Sequence, residues 1–185
     1  MFLFTTQNVP AEENLSGVMQ IEGVTLSKTY PLGDHTFVLN GAGVRTQFFF
    51  KVYVAALYQD HSRAIERTSA NALPAVMQLH FLRDVDWDDI TEALAEGLKA
   101  NHTKEALVQF QPAIQKLESL IQTTGEVKSG GVITLILHET ETEVKLNQKG
   151  LGSVTAPGFS LALLKIWIGD HPAQESLKRA LLRKP

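Results

Sequence analysis

From Val18 to Tyr58 apolar and polar positions alternate, and the alternation is punctuated at Gly23, at Gly33-Asp34 and from Gly41 to Gly43. That pattern predicts strands joined by tight turns or carrying bulges. The stretch Phe48 to Tyr58 is apolar at both parities and predicts a strand covered on both faces. Period two places Lys51, Tyr53 and Ala55 on one face, with Phe50, Val52 and Val54 on the other. A short surface helix is expected over 62–73, and after Pro74 a strand from Val76 to Leu82. The period then changes. Trp87, Ile90, Leu94 and Leu98 recur at helical spacing behind Asp86, the expected N-cap, with Asp89 in capping-box position. A second helix is expected from Thr103 through Leu107, Phe110, Ile114, Leu117 and Ile121, with Pro112 breaking or kinking it.

Strands return at Val132 to Glu139 and Glu143 to Asn147, and a hairpin turn over 147–150 leads to Leu151–Thr155. The end is helical: Phe159 to Ile168 with Gly169 at its close, then a last helix capped by Asp170, with Pro172 in its first turn, running to Leu182. Residues 1–17 have no period and read as a tail or edge segment, leaving 18–185 as a single domain. Strands, helices, strands and helices in that order predict an α+β domain with helices on one face of an antiparallel sheet.

Composition narrows the function. A chain of 185 residues that is 44% hydrophobic suits one domain with a sizeable core. A net charge of −3, with no basic stripe interleaved with aromatics, argues against a nucleic-acid partner. Lys178, Arg179, Arg183 and Lys184 read as the solvated end of a terminal helix. The absence of cysteine excludes disulfides, thiolate nucleophiles and Cys-ligated zinc. No apolar run reaches the roughly 18 residues of a membrane-spanning helix. The first residues lack a basic region and a full apolar core, so the expected location is cytoplasmic unless a leader has been removed.

His80, His102 and His138 have no metal-ligand spacing, so neither a metal nor a cofactor is expected. His80 reads as a core histidine or a general base. Gly41-x-Gly43 lacks the third glycine of a dinucleotide loop and reads as a bulge or bend. Asp84, Asp86, Asp88 and Asp89 suit a helix N-terminus, and no Ser-hydrolase elbow is present.

Arg45 is the conspicuous charge. It follows two glycines and precedes the longest apolar run, where a guanidinium is costly unless it meets an anion. That anion is either an internal Asp or Glu or a ligand carboxylate, phenolate or enolate. Tyr53 and Lys51 are candidate co-ligands, with Lys51 alternatively laying its stem along the surface. In an enzyme, Arg45 and Lys51 stabilise a developing enolate. Phe49, Val76, Trp87, Ile90, Leu94 and Trp167 are candidates to line a cleft, or plain core.

Four blocks carry a family resemblance: Asn40-Gly41-Ala42-Gly43-Val44-Arg45 with Phe49-Phe50-Lys51-Val52-Tyr53; Leu79-His80-Phe81-Leu82-Arg83-Asp84-Val85; and Ala162-Leu163-Leu164-Lys165-Ile166-Trp167-Ile168-Gly169. In this order, between about Val24 and Leu182, they resemble the bacterial chalcone isomerase-like proteins. The resemblance implies an open-faced β-sandwich, a large antiparallel sheet covered by a layer of helices with a ligand cleft between. In the wider superfamily, chalcone isomerases are intramolecular lyases and the related fatty-acid-binding proteins hold a fatty acid without reaction. Both use the arginine that matches Arg45, and Tyr53 matches a tyrosine that helps hold the carboxylate. The enzymes' helix-start tyrosine and asparagine fall near Asp86 and Ala93, their second-strand threonine is replaced by Tyr53, and Thr155 or Ser160 lies near a C-terminal polar contact. The arginine is kept while its enzymatic partners are not. The resemblance therefore implies non-catalytic binding of a small amphipathic acid, fatty or aromatic, ahead of an isomerase acting through Arg45 or a structural module with a filled pocket. It also implies a periplasmic location if a leader has been removed.

Overall fold

Turn chemistry organises the first half of the chain. In the computed structural model, which describes residues 17–60 and 73–182, β1 (Val18–Ile21) and β2 (Val24–Ser27) are joined by Glu22 and Gly23, both at positive φ. This two-residue turn matches the twist of its strands. β3 (Thr29–Leu32) returns at Gly33-Asp34 into β4 (His35–Gln47), which turns at Phe48-Phe49 into β5 (Phe50–Asp60). β6 (Ala75–Phe81) follows, and β7 (Val85–Asp86) leads straight into α1 (Trp87–Asn101). After α2 (Lys104–Gln122), β8 (Glu126–Val127) pairs back with β7. β9 (Val132–Leu137), β10 (Glu141–Leu146) and β11 (Lys149–Thr155) form a meander, and α3 (Phe159–Ile168) and α4 (Glu175–Leu182) close the chain.

Seven strands make one antiparallel sheet in the order β11-β10-β9-β6-β5-β4-β3. The helices cover one face, where Ala55, Leu57, Met77, Leu79 and Phe81 meet Leu98, Leu163 and Trp167. The β1–β2 hairpin covers part of the other, where Leu26 packs in one cluster with Val54, Ala56, Tyr58 and Val76. The architecture is the α+β, helix-layered antiparallel sheet read from the sequence.

Several local expectations need correction. The both-faces burial expected of Phe48 to Tyr58 holds from Val54 to Tyr58 and fails at the start. Phe48 and Phe49 form the turn, and Phe48, Phe49 and Phe50 are 86%, 96% and 60% exposed. Asp86 stands at the N-cap of α1 without a side-chain cap bond; β7–β8 pairing supplies a carbonyl instead, as Trp87 N–H donates to Gly125 O at 3.1 Å. Thr103 does cap α2, its Oγ1 accepting from Ala106 N–H at 3.3 Å. Pro112 does not break α2: it sits on the exposed side, and Ala113, Leu117 and Ile121 hold the helix to the core. The last helix starts at Glu175, not after Asp170, because the chain before it is committed to other contacts, with Ala173 N–H bonded to Ile166 O at 2.7 Å. The helix expected over 62–73 and the tail expected over 1–17 fall almost wholly outside the described residues, as do Arg183 and Lys184.

Gly41 and Gly43 have a physical reason beyond the bulge at Asn40, where the β4–β5 register shifts. A Cβ on Gly41 would run into the backbone carbonyls of Ala180 and Leu181, and one on Gly43 into Ala180 Cβ at 2.7 Å. Helix α4 lies directly on β4, and Asn40 Nδ2 donates to Leu181 O at 2.6 Å.

Candidate functional site

Arg45 and Tyr53 are register partners on β4 and β5. One step further along, Thr46 pairs with Lys51, so Val52 has no partner in β4 and forms a bulge. The bulge shifts the facing of the residues before it. Phe50 and Val52 join Tyr53 on the helix side, whereas Lys51 reaches Glu22 at the β1–β2 turn with Nζ to Oε2 at 2.7 Å. The expectation that Lys51 shares the face of Tyr53 is thus overturned by one extra residue.

On the helix side a cleft of about 650 Å³ opens between the β4–β6 end of the sheet, α1 and the end of α3. Arg45, Tyr53, Phe81, Ile90, Leu94 and Trp167 all line it. Phe49, Lys51, Trp87 and Val76 do not: Phe49 points to solvent at the turn, Trp87 packs against the core at the start of α1, and Val76 faces the β1–β2 hairpin. His80 has the parity of Val76 on β6 and is likewise absent from the lining; its Nε2 lies 3.3 Å from Gln78 Oε1, and burial pulls its pKa down. Ser160 is buried at the start of α3, 2.6 Å from Thr142 Oγ1, and Thr155 is exposed on β11; neither lines the cleft.

Arg45 is half-buried, and no described carboxylate lies within ion-pair distance of it. Its Nη1 donates to Thr46 O at 2.6 Å and to Gln174 Oε1 at 3.3 Å. Gln174 acts as a short substitute strand on β4. Its Oε1 also accepts from Thr46 N–H at 2.9 Å, and its Nε2 donates to Val44 O at 3.4 Å. The loop before α4 therefore orients the guanidinium without neutralising it.

The Tyr53 hydroxyl accepts from Trp167 Nε1–H at 3.0 Å. Desolvation pushes the Tyr53 pKa up, while the Trp167 hydrogen bond and the Arg45 charge pull it back, leaving it above its usual 10.0. Tyr53 is therefore a neutral phenol at physiological pH. With its oxygen occupied by an incoming donor, its own O–H is set to donate to an anion beside Arg45.

The opposite wall is different. Asp89, Glu92 and Glu96 line it along α1, and Asp84 stands near the mouth with Lys128 Nζ at 3.2 Å and Ser129 N–H at 2.8 Å. Arg83, also at the mouth, sits over the Phe50 ring at 5.0 Å. Gln174 and Arg83 were missed as site residues from the sequence. Arg83 stood inside a recognised block, whereas Gln174 has no local signature.

Among the described residues no cluster of His, Asp or Glu is arranged to hold a metal, and no helix is long and apolar enough to cross a membrane. No curated protein sequence gives a significant match. The crystal structure of a fatty-acid binding protein from Arabidopsis thaliana is similar to the chain, with a TM-score of 0.70 and 14% identity over 90% of this chain and 96% of that one. Identity this low speaks for the fold. The family is shown by sequence: residues 18–183 match the chalcone isomerase-like family, and the chain belongs to it.

Proposed function

We propose that the protein binds a small amphipathic acid, fatty or aromatic, without transforming it. Arg45 and Tyr53 hold the carboxylate, and the apolar body lies along Phe81, Ile90, Leu94 and Trp167. The observation that carries this reading is a half-buried guanidinium with no carboxylate partner among the described residues, oriented by Gln174 and opening on a cleft of about 650 Å³. A planar guanidinium and a phenol side by side suit the two oxygens of a carboxylate. The carboxylates on the α1 wall repel an acidic head and so direct it toward the sheet. The fatty-acid binding neighbour lends support through its shared fold. Within this reading, Phe49, Lys51 and Trp87 are not ligand contacts, and export would place the carrier in the periplasm.

The test is native and denaturing mass spectrometry of the purified protein, followed by titration with fatty acids and chalcones, with Arg45→Ala in parallel. The expected result is a bound or readily added acid whose affinity falls about 10- to 100-fold in the variant, the scale of a lost charge-assisted contact. Turnover of a chalcone by the wild type would replace the reading with the isomerase one. An empty protein that takes up neither class of compound would leave a structural module.

A further inference from the structure

The β4–β5 turn carries three consecutive phenylalanines into solvent. Phe48, Phe49 and Phe50 are 86%, 96% and 60% exposed, together roughly 500 Å² of aromatic surface at ordinary side-chain areas. The largest apolar patch on a monomer is of this order and is often functional. The turn itself is unusual. Phe48 has φ 55°, a left-handed conformation that two-residue hairpins normally give to Asn or Gly and that bulky side chains rarely adopt. An aromatic is held there against local preference.

We infer that this turn docks the protein on a phospholipid bilayer surface, inserting Phe48, Phe49 and Phe50 at the interface with Arg83 beside them. Shape favours a bilayer. The pairing of β5 with β6 ends at Tyr53–Phe81, and Gln47–Phe50 is the last β4–β5 pair, so the tip stands beyond the sheet. A convex tip buries well in a soft interface. Its area also falls short of the roughly 800 Å² per partner that a stable protein–protein contact uses, which argues against a second copy. Backbone pairing within the hairpin limits the polar groups that insertion would desolvate. Charge agrees. Glu22 is held by Lys51, Asp84 and Glu126 share Lys128, and Asp89, Glu92 and Glu96 stand on the α1 wall of the cleft rather than on the turn, while Arg83 has no carboxylate within ion-pair distance among the described residues and lies over Phe50 at 5.0 Å. A cation beside interfacial aromatics complements an anionic headgroup. Phe48, Phe50 and Arg83 also line the mouth of the cleft, so a docked tip sets that mouth against lipid.

The experiment is co-sedimentation of the full chain with phosphatidylcholine vesicles, with and without phosphatidylglycerol, comparing wild type, Phe49→Asp and Arg83→Gln. Phe49 is almost fully exposed and outside the cleft lining, so the variant is expected to fold, checked by circular dichroism. Wild type is expected to sediment with vesicles, more with phosphatidylglycerol. Phe49→Asp is expected to lose about tenfold in partitioning. Arg83→Gln is expected to lose the added effect of phosphatidylglycerol. Wild type remaining in the supernatant, or Phe49→Asp sedimenting like wild type, overturns the inference. A wild-type dimer that Phe49→Asp dissociates also overturns it. The measurement needs no ligand in the cleft, so it stands or falls separately from the acid-binding reading.

Discussion

The apolar run from Phe48 to Tyr58 has two ends of similar composition and opposite surroundings. Val54, Ala55, Ala56, Leu57 and Tyr58 are no more than 1% exposed, whereas Phe48, Phe49 and Phe50 are at least 60% exposed. What differs is the covering. At the far end, helices lie on one face and the β1–β2 hairpin on the other. At the near end the run leaves the sheet, and the cleft opens where the helical layer stops. Burial is thus decided by residues far away in sequence, and the uncovered end coincides with the candidate site.

The comparison breaks first at Leu57, which is fully buried in the helix-side core. Leu57→Ala is expected to cost about 2–5 kcal/mol through lost burial and a residual cavity, while Phe49→Ser should stay within about 0.5 kcal/mol. Urea unfolding of both variants measures the contrast. Similar losses would mean that the turn is covered in solution.

Gly41, the register partner of Leu57, tests how tightly the covered end is closed. Gly41→Ala would press a methyl group into the α4 carbonyls of Ala180 and Leu181 and is expected to cost about 1–3 kcal/mol. Gly150→Ala is the control: a Cβ there meets nothing within 4 Å, and a change within about 0.5 kcal/mol is expected. Thermal unfolding of the pair separates close approach from the general effect of replacing glycine.

These contrasts also mark what could be read beforehand. Alternation with its glycine punctuation placed β4, a run apolar at both parities placed β5, the stretch after Pro74 placed β6, and helical spacing of Trp87, Ile90, Leu94 and Leu98 placed α1. Arg45 stood out because a charge beside a long apolar run demands a partner, and the family resemblance joined it to Tyr53. The facing of Lys51 was not legible: the bulge at Val52 carries no glycine to announce it. Nor was the exposure of Phe48 to Phe50, because apolar character does not say what will cover it. Gln174 meets Arg45 across 129 positions and Trp167 meets Tyr53 across 114, and separations of that size leave no trace in local pattern.

His80 sharpens the boundary with the smallest expected effect. It pairs with Val54, where the covered half of β5 begins, and has the parity of the hairpin-side residues. Burial lowers its pKa below the usual 6.5. The unfolded chain therefore takes up a proton, as pH falls through 6.5, that the folded protein resists. Stability from this group is fully present above that pH and is lost as pH falls toward the lowered folded value. His80→Gln is expected to flatten the stability profile between neutral pH and the folded pKa, leaving the acid limb set by carboxylates such as Asp84, whose pKa is lowered by Ser129 N–H and Lys128. Parallel profiles for wild type and variant in urea titrations across this window would mean that water reaches His80. The covered half of the strand would then begin further along, closer to Leu57.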